Sequence, residues 1–240
     1  MNGRAAAFVL WPVVGLALAA CGDSSRPPSA EAPGAAAEKV DDTPPPERDL
    51  DVNVYACDDG TSYTVAIGPE AALLLLPDGA RRLPHVRSAS GARFASEDGT
   101  EFWNKGEEAM LVIDGVRRAG CRSDAMAAVW ESARVRGVDY RAVGNEPGWH
   151  LEIVNGGRSR FVGDYGQLVI EFDTPPPMDG GGPGAVDYVR QEDRRRIEVQ
   201  LRREDCNDTM VDVTYPLRAR VKVDDRVFDG CARALGDNGA

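Results

Sequence analysis

Hydrophobic and polar positions alternate differently in three parts of the chain. Residues 5–20 form one apolar run of 16 residues, broken only by Pro12 and Gly15. From Gly22 to Leu50 the apolar clusters give way to alanine, proline and charge. Beyond that point short apolar stretches recur at 63–67, 71–76, 101–103 and 109–113, none with a helical period. Between them stand four Asp-Gly pairs, Asp59-Gly60, Asp78-Gly79, Asp98-Gly99 and Asp114-Gly115, a strong hairpin signal. A chain of hairpins this short hides its edges by closing, so residues 51–122 are expected to form a small antiparallel β-barrel. Residues 126–136 then read as a short helix within a bridging segment, 123–138. Further strands are expected at 151–154, followed by an Asn155-Gly156 turn, and at 167–172, 197–201 and 219–223. Ile197, Val199 and Leu201 alternate with Glu198, Gln200 and Arg202, the period of a half-buried strand. The Pro/Gly-rich stretch 174–184 reads as a loop outside the core. The fold class is therefore all-β: a small antiparallel barrel, a second small β-rich domain over 139–235, and a short tail, 236–240.

The first apolar run is shorter than the roughly 20 residues of a membrane-spanning helix and close to the 7–15 or so of a signal-peptide core. Arg4 precedes it and no acidic residue occurs before Asp23. Its exit, Leu18-Ala19-Ala20-Cys21, resembles a bacterial lipobox. That resemblance implies removal of residues 1–20 and acylation of Cys21, and several acyl chains anchor stably where one does not. An uncleaved anchor and a plain secretory peptide are the alternatives. Residues 21–50 then make the lipidated cysteine and a Pro/Ala-rich linker with seven acidic residues. Such a segment lacks core formers, is expected to be disordered, and stays extended enough to hold a domain away from a membrane. The expected location is the bacterial cell envelope, lipid-anchored at the outer membrane and facing the periplasm.

Four further cysteines, Cys57, Cys121, Cys206 and Cys231, suggest disulfides in an exported chain. Three pairings are open; the simplest, Cys57–Cys121 with Cys206–Cys231, divides the chain in two and is worth roughly 3–4 kcal/mol per bridge. A metal site is disfavoured, because there is no C-x-x-C and His85 and His150 are isolated. No cofactor is expected. The formal net charge is −11, which disfavours nucleic acid as a partner. Ser90 and His85 offer a nucleophile and a base, yet no G-x-S-x-G elbow exists and no obvious acid orients the pair, so the chain does not read as an enzyme. Phe102 and Trp103 could stack a sugar, although aromatic residues at alternating positions more often pack a core or rim.

The order of residues in the first domain carries a more specific signal. Cys57 follows Tyr55. Then come Ser90-Gly91-Ala92-Arg93-Phe94 and Phe102-Trp103-Asn104-Lys105-Gly106, and Cys121 closes the domain. This order resembles the MliC-type inhibitors of c-type lysozyme, with their S-G-x-x-Y and Y-x-x-K-G motifs, over about residues 51–122. Phenylalanine replaces tyrosine both times, keeping the aromatic body and losing two hydroxyls. The resemblance implies that Ser90 and Lys105 reach into the lysozyme cleft, supported by Gly91, Arg93, Phe94, Phe102 and Gly106. A retaining lysozyme works with two carboxyl groups about 5 Å apart. An ammonium is a compact charge with three donors on a long stem, suited to bonding both. The chain has 25 arginines and only three lysines, so a lysine at this position suggests that shape matters. The plainer reading makes Lys105 a solvated strand-end charge and Ser90 a turn residue. Acidic character also suits a basic lysozyme, since steering can raise association rates by about 10–1000-fold.

The second half resembles a family of small bacterial envelope proteins with a G-N-E-P-x-W motif, a C-x-D-x-M segment and a G-C-A ending. Here these are residues 144–149, 206–210 and 230–232. That resemblance implies a β-fold and a Cys206–Cys231 bridge. Glu146 and Trp149 are candidate site residues; a tight turn with a core tryptophan is the favoured alternative. Two functional classes follow: a lysozyme inhibitor acting through the barrel, and an envelope module binding a ligand or cell-wall fragment through the second domain.

Overall fold

The computed structural model describes residues 50–236 apart from Asp78. The signal-peptide, Cys21 and linker readings, and the tail from residue 237, lie outside the described residues. Eight strands come first: β1 (Asp51–Ala56), β2 (Ser62–Ile67), β3 (Ala71–Leu76), β4 (Gly79–Val86), β5 (Ala92–Ala95), β6 (Glu101–Lys105), β7 (Glu108–Ile113) and β8 (Val116–Ser123). Each pairs antiparallel with the next, and β1 meets β8 to close a barrel. The seam pairs Tyr55 with Ser123 and Ala56 with Arg122, and the Cys57–Cys121 disulfide crosses beside it. Side chains alternate in and out along each strand. The inward set includes Tyr55, Tyr63, Val65, Leu74, Leu83, Phe94 and Phe102, all buried.

Three of the Asp-Gly pairs turn the chain, in two ways; Gly79 of the fourth pairs with Leu76 at the start of β4. Asp114 and Gly115 alone connect the paired Ile113 and Val116, with φ of 51° and 74°, the I′ geometry that suits strand twist. Asp59-Gly60 and Asp98-Gly99 sit in longer turns. There Cys57 N–H donates to Thr61 O and Ser96 N–H to Thr100 O. Each aspartate also accepts from the backbone two residues on, at 2.9 Å from Thr61 N and Thr100 N. A short carboxylate thus substitutes for a backbone partner in the turn.

Next comes α1 (Ala125–Val135), capped by Asp124, whose side chain accepts from Ala127 N–H at 2.9 Å. The helix buries Trp130 and Ala133 and packs along β1. Nine strands follow: β9 (Tyr140–Asn145), β10 (Gly148–Ile153), β11 (Arg158–Gly163), β12 (Leu168–Asp173), β13 (Met178–Asp179), β14 (Val186–Glu192), β15 (Arg195–Asp208), β16 (Val213–Val223) and β17 (Arg226–Ala234). They form one antiparallel sheet in the order β12-β11-β10-β9-β17-β16-β15-β14-β13. The sheet curls so that Phe161, Phe172, Tyr188, Val199 and Phe228 share one core. Ile197, Val199 and Leu201 all face that core, as their alternation requires. The Cys206–Cys231 disulfide joins β15 to β17 and packs with Trp130 and Tyr215 in a smaller cluster. The 174–184 stretch stays outside the core; its Met178 and Asp179 pair with β14 as β13 but remain exposed.

Candidate functional site

In an up-and-down antiparallel barrel, every second connection lies at the same end. The β4–β5 connection, carrying Ser90, and the β6–β7 connection, beginning after Lys105, therefore share one rim. The register sharpens this: Ala92 pairs with Asn104, so Gly91 comes beside Lys105. Two contacts fix the Ser90 loop against β6. The Trp103 indole N–H donates to the Ser90 carbonyl at 2.9 Å. Gly91 takes φ +69°, and a Cβ there would stand 2.2 Å from Asn104 O, so only glycine lets the two backbones approach this closely. Within the loop, the Ser88 hydroxyl donates to Gly91 O at 2.8 Å. Gly106 begins the turn between the paired Lys105 and Glu108 with φ +62°, a two-residue connection led by glycine.

Ser90 and Lys105 are both exposed at this rim. The motif residues around them divide by face. Phe94 and Phe102 lie inside the barrel, stacked with ring centroids 6.1 Å apart and an interplanar angle of 19°. Phe94 also meets His85 edge-on, and Phe102 meets Tyr55 and Tyr63. The two motif aromatics therefore set the core that carries the rim. Arg93 lies outside and grips Glu101 with two hydrogen bonds, both 2.8 Å. Those bonds hold the Glu101 carboxyl below its ordinary pKa and push the Arg93 guanidinium up. Trp103 is 36 % exposed on the same outer face, beside a groove of about 520 Å³ that runs from Ser90 past Arg93 and Met110 to Arg117.

The structure separates several other candidates. Phe102 and Trp103 point to opposite faces of β6, so they form no common stacking platform. His85 packs on Phe94. Trp149 is buried against Phe161 and Phe228, its indole N–H reaching Asp229 O at 3.3 Å, whereas Glu146 is exposed at the hairpin tip. These two do not converge; the motif forms a turn with a core tryptophan. The role of Trp103 as a clamp on Ser90 was not visible in the sequence, where only the two-residue offset from Lys105 hinted that both share a face.

Comparison with known families bears on this rim. Residues 55–118 match the family model described as membrane-bound lysozyme-inhibitor of c-type lysozyme, MliC. The matched span begins at Tyr55 on the closing seam and includes both motifs, both rim connections and the Trp103 clamp. Comparison with curated proteins and with solved structures gives no match. The match stops before α1, so it concerns the MliC-like barrel alone.

Proposed function

We propose that the MliC-like barrel inhibits a c-type lysozyme by presenting Ser90 and Lys105, from neighbouring connections of one rim, to the enzyme's two catalytic carboxyl groups. The observation that carries this reading is the family match over residues 55–118, which contains both motif residues. In a retaining glycosidase those carboxyl groups stand about 5–5.5 Å apart. The Lys105 ammonium can bond both at once with its three donors, while the Ser90 hydroxyl adds a neutral donor and acceptor. The exposed Glu70, Glu107 and Glu108 sit at the same end and favour approach of a basic enzyme. The chain itself catalyses nothing in this reading; it occupies a catalytic site. Acylation of Cys21 would hold the barrel at the envelope membrane, the linker supplying reach toward an incoming lysozyme.

The test is inhibition of a c-type lysozyme clearing a suspension of bacterial cell wall, with the chain added in increasing amounts. Clearing should slow to a floor at one barrel per enzyme. Undiminished clearing at a large molar excess of folded chain would end the inhibitor reading.

A further inference from the structure

Charge also gathers on one face of the second sheet, beside the C-terminal end of α1. The register aligns Arg141 on β9, Glu152 on β10, Arg160 on β11 and Glu171 on β12. Glu152 accepts two hydrogen bonds from Arg136, the residue that caps α1, at 2.7 and 2.9 Å, and another from Arg141. Glu171 stands 3.5 Å from Arg158 and 3.7 Å from Arg160. Four guanidiniums thus meet two carboxylates. Cross-strand pairing accounts for an alternating ladder but not for the surplus of positive charge.

Arg141 is the unusual member. It is only 8 % exposed and lies over the Trp130 ring, 5.7 Å from its centroid. Its Nη1 goes to Glu152, while Nε is buried with no partner among the described residues. Buried charged donors are normally paired, so a guanidinium with a donor to spare is able to bond a further acceptor. Between α1, β1 and the sheet lies a cleft of about 630 Å³, bounded by Val52, Val129, Arg136, Arg141, His150 and Arg160, with the arginine-bonded Glu152 carboxylate also in its wall. His150 is half-buried there. Burial lowers its pKa first, then Arg141, with Arg160 and Arg136 adding and Glu152 opposing. A neutral imidazole in a positive field completes the lining.

We propose that this cleft binds a small oxyanion, a carboxylate or phosphate group, held by Arg136, Arg141 and Arg160 beside His150, with Val52 and Val129 receiving an apolar substituent. Guanidiniums suit both groups because their planar fork matches two oxygens at once. The site shares no residue with the Ser90 and Lys105 connections, and the inference does not rest on the proposed inhibition.

The chain has only two histidines, which makes the test direct. His150 lines the cleft, and His85, exposed on the barrel, is an internal control. Their ring resonances are titrated in the full chain with chloride, inorganic phosphate or acetate at matched ionic strength. An anion seated beside His150 favours the imidazolium, so its midpoint should rise by about half a unit or more in phosphate over chloride. His85 should not follow. A rise in acetate as well assigns a site for either oxyanion; a rise in phosphate alone assigns a phosphate site. The Arg136→Gln/Arg160→Gln double variant should abolish the rise, and Arg160→Gln alone, at a half-exposed position, should at least halve it. A His150 midpoint that moves no more than that of His85, or a rise that persists at more than half its size in a folded Arg160→Gln chain, overturns the proposal.

Discussion

Replacing Lys105 by alanine separates inhibition from folding. Lys105 is the last paired residue of β6, exposed, and its backbone register with Glu108 does not need the side chain. The ion pairs around the rim are made by arginines: Arg93 with Glu101, and Arg122 with Glu108. Truncation therefore removes no described bond and no buried surface, and stability should change by no more than about 0.5 kcal/mol. The inhibited complex is another matter. A hydrogen bond to a charged group contributes about 1.5–3 kcal/mol, and in the proposed complex two carboxylates would lose their partner together. That corresponds to roughly a ten- to hundredfold weaker inhibition constant. The assay is the inhibition constant against a c-type lysozyme, with thermal melts of both proteins. Ser90→Ala, losing a neutral bond, should cost nearer 1 kcal/mol, and the double variant less than the sum if both serve one cleft. A Lys105→Ala chain that melts like its parent and inhibits equally well refutes the plugging geometry.

Three further outcomes are expected. Gly91→Ala forces a Cβ against Asn104 O in a left-handed conformation, which costs about 1–2 kcal/mol for the backbone alone; both the melting temperature and inhibition should fall, and an unchanged melt would show that the loop is not held as described. Asp98, bonded by Ser96 and the Thr100 backbone, has its pKa lowered to about 2. Folding therefore favours its carboxylate, a contribution present above the unfolded pKa and lost as pH falls toward 2. Asp98→Asn should melt earlier than the parent at neutral pH, with the gap closing in acid; a gap that widens in acid contradicts the assignment. A fragment of residues 50–124 keeps the seam pair of Tyr55 with Ser123, the Trp103 clamp and the bond from Ser123 N–H to Glu107 O. It should inhibit within about threefold of the full chain, under 1 kcal/mol; a folded fragment that fails to inhibit would place part of the inhibitory surface on α1 or the sheet.

What could be read from sequence depended on where apolar side chains were dense. β3, with Ala71 to Leu76 apolar throughout, and β7 were plain, as were the Asp-Gly turns. β4 and β8 were not. In β4 only Leu83 is buried, and in β8 only Cys121; Arg81 and Arg118 take the inward register positions opposite Leu74 and Leu111, and Arg82 and Arg117 face outward. A small barrel needs one inward side chain every second residue, and at its ends fewer, so such strands fall below any hydrophobic threshold. The same holds in the second half. β16 alternates over its full length, with Leu217, Ala219, Val221 and Val223 in the main core and Tyr215 in the smaller cluster, but threonine, proline, arginine and lysine fill the positions between and hid all but its last five residues. At the site, the motifs pointed to Ser90 and Lys105 by order along the chain, whereas their nearness comes from the Ala92–Asn104 register and from which connections share an end. The arginine cleft was invisible for a related reason: Arg141, Glu152 and Arg160 become neighbours only once β9, β10 and β11 pair.

The use of lysine at position 105 is itself open to test, because the chain elsewhere makes its described ion pairs with arginine. Those forks are spent inside the fold: Arg93 on Glu101, Arg118 on Asp59, Arg202 on Asp187, Arg226 on Asp164. Glu108 stands across from Lys105 in the ladder, yet its carboxylate lies 3.3 Å from Arg122. An arginine at 105 would compete for Glu108, since a planar guanidinium bonds a carboxylate through two nitrogens where an ammonium holds it as a point charge. It would also bring a broader head to a cleft whose two carboxyl groups stand about 5–5.5 Å apart. Lys105→Arg should therefore retain the charge and the long-range attraction but lose close contact. Association rates should stay within about threefold of the parent, while dissociation quickens and accounts for most of the lost affinity. Lys105→Ala, by contrast, loses the charge altogether and should inhibit less well than Lys105→Arg. Stopped-flow association and dissociation rates with a c-type lysozyme distinguish the cases. Equal inhibition by the arginine and lysine forms would mean that charge alone is recognised at the rim and that the compactness of the ammonium plays no part.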